Sequence, residues 1–151
     1  VVKMTKVLAA GVFDLLHYGH IRYLEEAKKL GGPDAELIVI VARDETVCRL
    51  KGSNPVIPED QRRAVIEALK VVDEALLGFE DLDLDRVIQQ VKPDIVAVGH
   101  DQDAIRRQVE KIKKARELKI EILTVGRFGE RDLDSSSKIK RRIVEGARTR
   151  A

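Results

Sequence analysis

His17 and His20, set in the order His17-Tyr18-Gly19-His20, are two of the chain's three histidines. Imidazole both donates and accepts hydrogen bonds near neutral pH. A pair at the start of a helix can offer donors to a phosphate as charge builds up during transfer. Binding one metal ion is the weaker option, because no cysteine accompanies the pair and no carboxylates cluster around it in a ligand pattern. A plain pair of helix-start histidines with no task is the bland alternative. Composition argues against it: a given window matches His-x-Gly-His with a chance of order 10⁻⁵ to 10⁻⁴, taking Gly near 7% and His scarcer.

The elements around the pair give it a place. An apolar run, Val7 to Ala10, precedes it, and a helix-like run, Ile21 to Leu30, follows. The motif therefore sits at the turn from a first strand into a first helix. In a parallel α/β sheet that turn collects phosphate on backbone N–H groups and the positive helix end. Gly11 suits a backbone that approaches a ligand closely. Asp14 has two readings: a link to Mg²⁺ held with phosphate oxygens, or a fixing point for the turn. Phe13 and Leu16 read as core.

Strands are expected at about 5–10, 36–42, 72–77, 94–98 and 120–125. Leu37-Ile38-Val39-Ile40-Val41 is a continuous apolar run, rich in β-branched residues, as in a strand buried on both faces. Helices are expected at about 18–30, 44–50, 58–70, 82–91 and 102–118. In the last, Ile105, Val109, Ile112 and Ala115 keep one apolar face. A final helix is expected from Ser135, where a serine run serves as an N-cap. Repeated β-α order implies an α/β fold, a Rossmann-like doubly wound parallel five-stranded sheet with helices on both faces. No repeat or linker interrupts it, so residues 1–151 read as one domain.

Composition narrows the rest. The 28 basic and 26 acidic residues nearly cancel, so net charge says little about partners. Charged residues make up 36% with one Asn and no Trp, a mix that leans toward an ion-pair-rich, heat-adapted surface. The single Cys48 excludes an internal disulfide and a cysteine-based zinc cluster. No apolar run approaches a membrane span, and no signal-peptide segment opens the chain, so a cytoplasmic protein is expected.

Gly11-Val12-Phe13-Asp14 with His17-Tyr18-Gly19-His20 resembles the nucleotidyltransferase superfamily of cytidylyltransferases and phosphopantetheine adenylyltransferase. Pro58-Glu59-Asp60-Gln61-Arg62-Arg63 resembles that family's helix with a phosphate-contacting arginine. Val72-Asp73-Glu74 is similar to the strand after it. Asp134-Ser135-Ser136-Ser137-Lys138-Ile139 resembles its late serine-rich helix start. Within the superfamily, Val41-Ala42-Arg43-Asp44-Glu45-Thr46-Val47, Leu50-Lys51-Gly52 and Pro55-Val56-Ile57-Pro58-Glu59 look most like archaeal FAD synthetases, which are FMN adenylyltransferases. Glycerol-3-phosphate cytidylyltransferases share many of these positions. Val12 stands where the family usually has a hydroxyl residue, leaving backbone contact only. Arg131-Asp132-Leu133 replaces the cytidylyltransferase Arg-Thr-Glu-Gly, and the late cysteines common in archaeal FAD synthetases are missing.

The resemblance implies transfer of AMP from ATP to FMN, with Mg²⁺ and release of pyrophosphate. His17, His20, Lys51 and Arg62 would be catalytic. Gly11, Val12, Phe13, Asp14, Gly19, Asp101, Ser135, Ser136, Ser137 and Lys138 would bind nucleotide, with Asp14 also the metal link. A homodimer is expected on resemblance, with no nucleic-acid or membrane partner. Gly99-His100-Asp101-Gln102 follows the fourth strand, and Asp101 or Gln102 could read the base or hold the second substrate. Lys140, Arg141 and Arg142 read as a solvated face. Lys70 has two readings, a family basic position or a helix end. Tyr18, Tyr23, Phe79 and Phe128 are the candidate flavin-stacking rings. The rivals are a CTP-dependent cytidylyltransferase for glycerol 3-phosphate or a related phosphorylated alcohol, a nucleotide-binding regulatory module without turnover, and a nucleic-acid binder using the C-terminal basic helix.

Overall fold

Alternation of strand and helix produces five parallel strands. The computed structural model describes residues 4–80, 83–126 and 135–150. The order along the chain is β1 (Lys6–Gly11), α1 (Tyr18–Leu30), β2 (Glu36–Val41), α2 (Asp44–Lys51), α3 (Glu59–Glu67), β3 (Glu74–Leu77), α4 (Leu84–Val91), β4 (Ile95–Gly99), α5 (Asp103–Arg116), β5 (Glu121–Val125) and α6 (Ser136–Thr149). The strands lie side by side as β3-β2-β1-β4-β5, all parallel.

The period of two along the strands divides the core into two layers. Val7, Ala9, Leu37, Val39 and Val41 join Leu24 and Ala27 of α1 and Ile66 of α3 on one face. Leu8, Ile38, Ile40, Val96 and Val98 join Val87, Ile88 and Val91 of α4 and Val109 of α5 on the other. β1, β2 and β4 are thus covered on both sides, as their near-continuous apolar runs require. The expected doubly wound sheet is the observed one.

Boundaries moved where apolar residues pack without extending a strand or helix. Val71 and Val72 pack on the core from the turn after α3, and the Val72 N–H donates to the Leu69 carbonyl at 3.1 Å. Asp73 then accepts from the Leu37 N–H at 2.7 Å, and β3 starts one residue later. α3 closes at Glu67 instead of running to 70 for the same reason. The strand order reverses direction between β1 and β4. In doubly wound sheets the crevice beyond the carboxyl ends at that switch point takes the ligand. The His-x-Gly-His turn leaves β1 there, and Gly99-His100-Asp101-Gln102 leaves β4 beside it.

Candidate active site

The turn between β1 and α1 is strained and tightly held. Phe13 (φ 54°) and Leu15 (φ 46°) both adopt left-handed backbone, which costs a non-glycine residue of order 1–3 kcal/mol. Burial of the Phe13 ring against the core offsets this. The ring also folds back over Gly11, where a Cβ would meet Phe13 Cε2 at 2.9 Å. The Phe13 ring thus excludes a side chain at Gly11 whatever approaches from outside.

Asp14 lies between the two strained residues and is buried. Its Oδ2 accepts from the Val56 N–H and its Oδ1 from the Ile57 N–H, both at 2.9 Å. Lys140 of α6 places Nζ 3.6 Å from Oδ2. Burial opposes ionisation, but the Val56 and Ile57 N–H groups and the Lys140 charge together hold the carboxyl below its usual value. Of the two readings of Asp14, the turn-fixing one has direct contacts.

Arg62 lies on α3 as expected, but its side chain turns inward. It is 1% exposed. Nε donates to the Ile57 carbonyl at 2.8 Å, Nη1 to the carbonyls of Val12 (2.7 Å) and Ala42 (2.8 Å), and Nη2 to Asp44 Oδ1 at 2.7 Å. A guanidinium so enclosed has no face left for a phosphate, which corrects the expectation that Arg62 holds one. Its work is to fasten the Val12 turn, the end of β2 and the Ile57 loop to each other. Asp44 and Glu59 add a reciprocal pair of caps: the Asp44 N–H donates to Glu59 Oε2 at 2.7 Å and the Glu59 N–H to Asp44 Oδ2 at 3.4 Å. These join the starts of α2 and α3.

The histidines stand on this base. His17 is the extended N-cap of α1, and Tyr18 and Gly19 open the helix. The two imidazoles stack with centroids 3.7 Å apart, and the Phe13 ring meets His20 edge-on at 5.3 Å. The His17 N–H donates to His20 Nδ1 at 3.3 Å. That bond assigns the proton of neutral His20 to Nε2, leaving a donor there. Burial, the neighbouring His17 and the charge of Lys51 push His20 down to about 3, against the pull of Asp14. His20 is thus a neutral hydrogen-bond donor throughout the physiological range. Lys51 ends α2, exposed, and Gly52 (φ 78°) closes that helix in the left-handed conformation that glycine adopts freely.

α6 brings the C-terminal serines to the same turn. Ser135 caps the helix by accepting from the Lys138 N–H at 3.2 Å, and Ser136 Oγ donates to the Asp14 carbonyl. Two helix N-termini, of α1 and α6, therefore converge on the Asp14 turn, each with its positive dipole end. Ser137 is exposed. Lys140, read from sequence as solvated, is at the site; it follows Ser136 by four residues, the spacing that shares a helix face. Asp101 is exposed after β4, while Gln102 is the residue that reaches into the switch point, onto the Ala10 carbonyl at 2.8 Å. Among the candidate stacking rings, Tyr18 is exposed, Tyr23 is tied to the Ala97 carbonyl at 2.8 Å, and Phe79 lies under Arg86 at 4.0 Å. Phe128, Arg131, Asp132, Leu133 and Asp134 lie outside the described residues.

The described residues hold no group of three metal-ligating side chains, and no helix long and apolar enough to cross a membrane. What converges is imidazole, ammonium, hydroxyl and helix-end N–H around one turn, a donor set for phosphate oxygens.

The sequence model of the cytidylyltransferase-like family matches residues 8–142. The chain belongs to that family. FAD synthase of Methanopyrus kandleri is 45% identical over 140 residues, spanning 93% of this chain and 92% of that protein. FAD synthase of Methanobrevibacter smithii is 47% identical over 143 residues, spanning 93% and 91%. The crystal structure of the lipopolysaccharide core biosynthesis protein of Thermoplasma volcanium is 42% identical with a TM-score of 0.75, covering 84% of this chain and 100% of that one. The family expected from the histidine motif is the family found, and the chain is a nucleotidyltransferase.

Proposed function

We propose that this chain is an FAD synthase, transferring AMP from ATP to FMN with release of pyrophosphate. Full-length similarity to FAD synthases carries the choice of substrates. The stacked His17–His20 pair at the switch point carries the assignment of the site.

An FMN phosphate oxygen attacks the α-phosphorus of ATP in line, and the bond to the bridging oxygen of pyrophosphate breaks. The attacking group is already an anion, so no covalent enzyme intermediate and no general base is required. Catalysis is positioning and charge stabilisation. His20, held neutral, donates Nε2–H to the reacting phosphates, and His17 stands beside it. Lys51 and Lys140 supply the mobile positive charge. The α1 and α6 starts supply the Gly19, Ser136 and Ser137 N–H groups, the Ser135 and Ser137 hydroxyls and the Lys138 ammonium. Val12 contributes backbone only, and Phe13 holds the turn. Asp101 stands at the rim after β4, on the acceptor side.

Mg²⁺ fits this donor set as a cation carried by the phosphates and water, with Asp14 the one carboxylate within the turn. Each Asp14 oxygen already takes one backbone N–H, so it has little capacity to hold a metal alone. When bound, a divalent ion would supply positive charge to the polyphosphate, with Asp14 the nearest carboxylate to hold it through water. A homodimer forms part of the same proposal and is read by sedimentation.

Pyrophosphate release in Mg²⁺, crossing ATP and CTP against FMN and glycerol 3-phosphate, tests the reading. Release with ATP and FMN alone is expected. Release with CTP and glycerol 3-phosphate instead would move the chain to the cytidylyltransferase reading, and nucleotide binding with no release to that of a binding module.

A further inference from the structure

The ladder between β1 and β4 ends early. It runs from Val7↔Ile95 to Ala9↔Ala97, while β1 stays paired with β2 to Gly11↔Val41 and β4 with β5 to Gly99↔Val125. Beyond Ala9 and Ala97 the two central strands part. Gln102 spans the gap. Its Nε2 donates to the Ala10 carbonyl at 2.8 Å, and its Oε1 accepts from the Gly99 N–H at 2.9 Å. Tyr23, three residues after His20 on α1, donates its hydroxyl to the Ala97 carbonyl at 2.8 Å and lies 3.5 Å from Gln102 Oε1. Burial pushes the Tyr23 hydroxyl far above its usual value, so it stays a donor. Gly99 leaves room for this arrangement: a Cβ there would come within 3.3 Å of Gln102 Oε1 and 3.2 Å of Asp101 Oδ1.

We infer that Gln102 is a positioning residue of the transfer reaction: its carboxamide sets the spacing between the β1 and β4 ends and, through Tyr23, registers that spacing against the histidine helix. The inference rests on the reading above for its substrates. A carboxamide carries a donor and an acceptor in one plane, as this gap requires. Without it the strand ends keep an unpaired carbonyl and N–H, or close into a direct ladder bond. Either moves the Ala10–Phe13 segment, and with it the histidines, relative to β4. In-line transfer tolerates a misplacement of about 1 Å poorly, at a cost of up to roughly 100-fold in rate.

Gln102→Leu and Gln102→Glu separate positioning from mere support. Leu cannot bridge at any pH. Glu keeps the length, but when ionised it faces the Ala10 carbonyl with an oxygen; when protonated it donates as the amide does. The titratable groups beside it are Asp101 and Tyr23, and the Asp101 charge raises the pKa of the introduced carboxyl. Activity is read as kcat/KM relative to wild type at each pH, well below the unfolding temperature. The expected result is a roughly 10- to 100-fold loss in Gln102→Leu, unchanged between pH 8 and 5.5. Gln102→Glu should show a similar loss at pH 8 that shrinks as pH falls. A lowered Tm in both variants with wild-type kcat/KM, or a loss in Gln102→Glu that ignores pH, would overturn the inference. If wild type makes no pyrophosphate with ATP and FMN, the substrate reading has failed. ATP affinity by calorimetry then carries the test, with the same pH-dependent recovery in Gln102→Glu expected and its absence overturning the role.

Discussion

Arg62 and Lys51 are both cations beside the same turn, yet one is sealed in the interior and the other stands in solvent. Four of the five N–H donors of Arg62 are bonded to the Val12, Ala42 and Ile57 carbonyls and Asp44. Lys51 ends a helix at the rim, near enough to His20 for its charge to be felt there. The difference separates two tasks. A guanidinium's rigid fork can satisfy several buried carbonyls at once, so Arg62 builds the turn. A lysine on a flexible stem keeps its charge hydrated, which suits the phosphate-binding role proposed for Lys51. Asp14 and Lys140 repeat the contrast: the carboxylate is buried and bonded, and the ammonium reaches it from an exposed helix.

The comparison breaks first at Arg62. Arg62→Leu should destabilise the fold by about 3–5 kcal/mol, because it leaves three carbonyls and a carboxylate without their donor. Urea unfolding measures this; wild-type stability with lost turnover would return Arg62 to the phosphates. Asp14→Asn comes next, at about 2–3 kcal/mol, since the amide accepts from only one of the Val56 and Ile57 N–H groups. The Asp14 contribution has a sign in pH. Its carboxyl is held low in the fold, so the stability it adds is present above its unfolded pKa and disappears as pH falls through the folded value.

His20 gives a second window of the same sign, placed at higher pH. Its folded value of about 3 lies below the unfolded 6.5, so below pH 6.5 the unfolded chain binds a proton that the fold refuses. Between pH 7 and pH 5 this should cost up to about 2 kcal/mol, and His20→Asn should remove that part of the slope. Unfolding midpoints at the two pH values decide it; an unchanged slope in His20→Asn would show that His20 titrates normally. Smallest is Lys51→Ala, expected to weaken ATP binding about tenfold, or ~1.4 kcal/mol, with Tm unmoved. Equal loss of stability would place Lys51 with Arg62.

Much of this was legible in the chain. The period of two in β1 and β2, the His-x-Gly-His turn and the serine-led last helix each have a local signature, and each stands where it was expected. Arg62 illustrates what does not show. Its position on α3 was read correctly, but whether a helical arginine points outward or inward depends on Val12, Ala42 and Ile57, which no spacing rule connects to it. The Phe13 ring's hold on Gly11 was hidden for the same reason, since the ring folds back only after a left-handed turn. Lys140 was recoverable from its four-residue offset to Ser136. Gln102 was visible as a polar residue after β4, but its bridge depends on where the β1–β4 ladder stops, which is a property of the whole sheet.

In the proposed reaction, chemistry rests on the histidine pair while the buried charges only build its platform. Turnover and thermal midpoint of His17→Ala and His20→Ala, measured side by side with ATP and FMN, test it most directly. A loss of kcat of roughly 10²- to 10³-fold is expected in each with Tm nearly intact. Normal turnover in either variant, or a loss that merely follows unfolding, would contradict it.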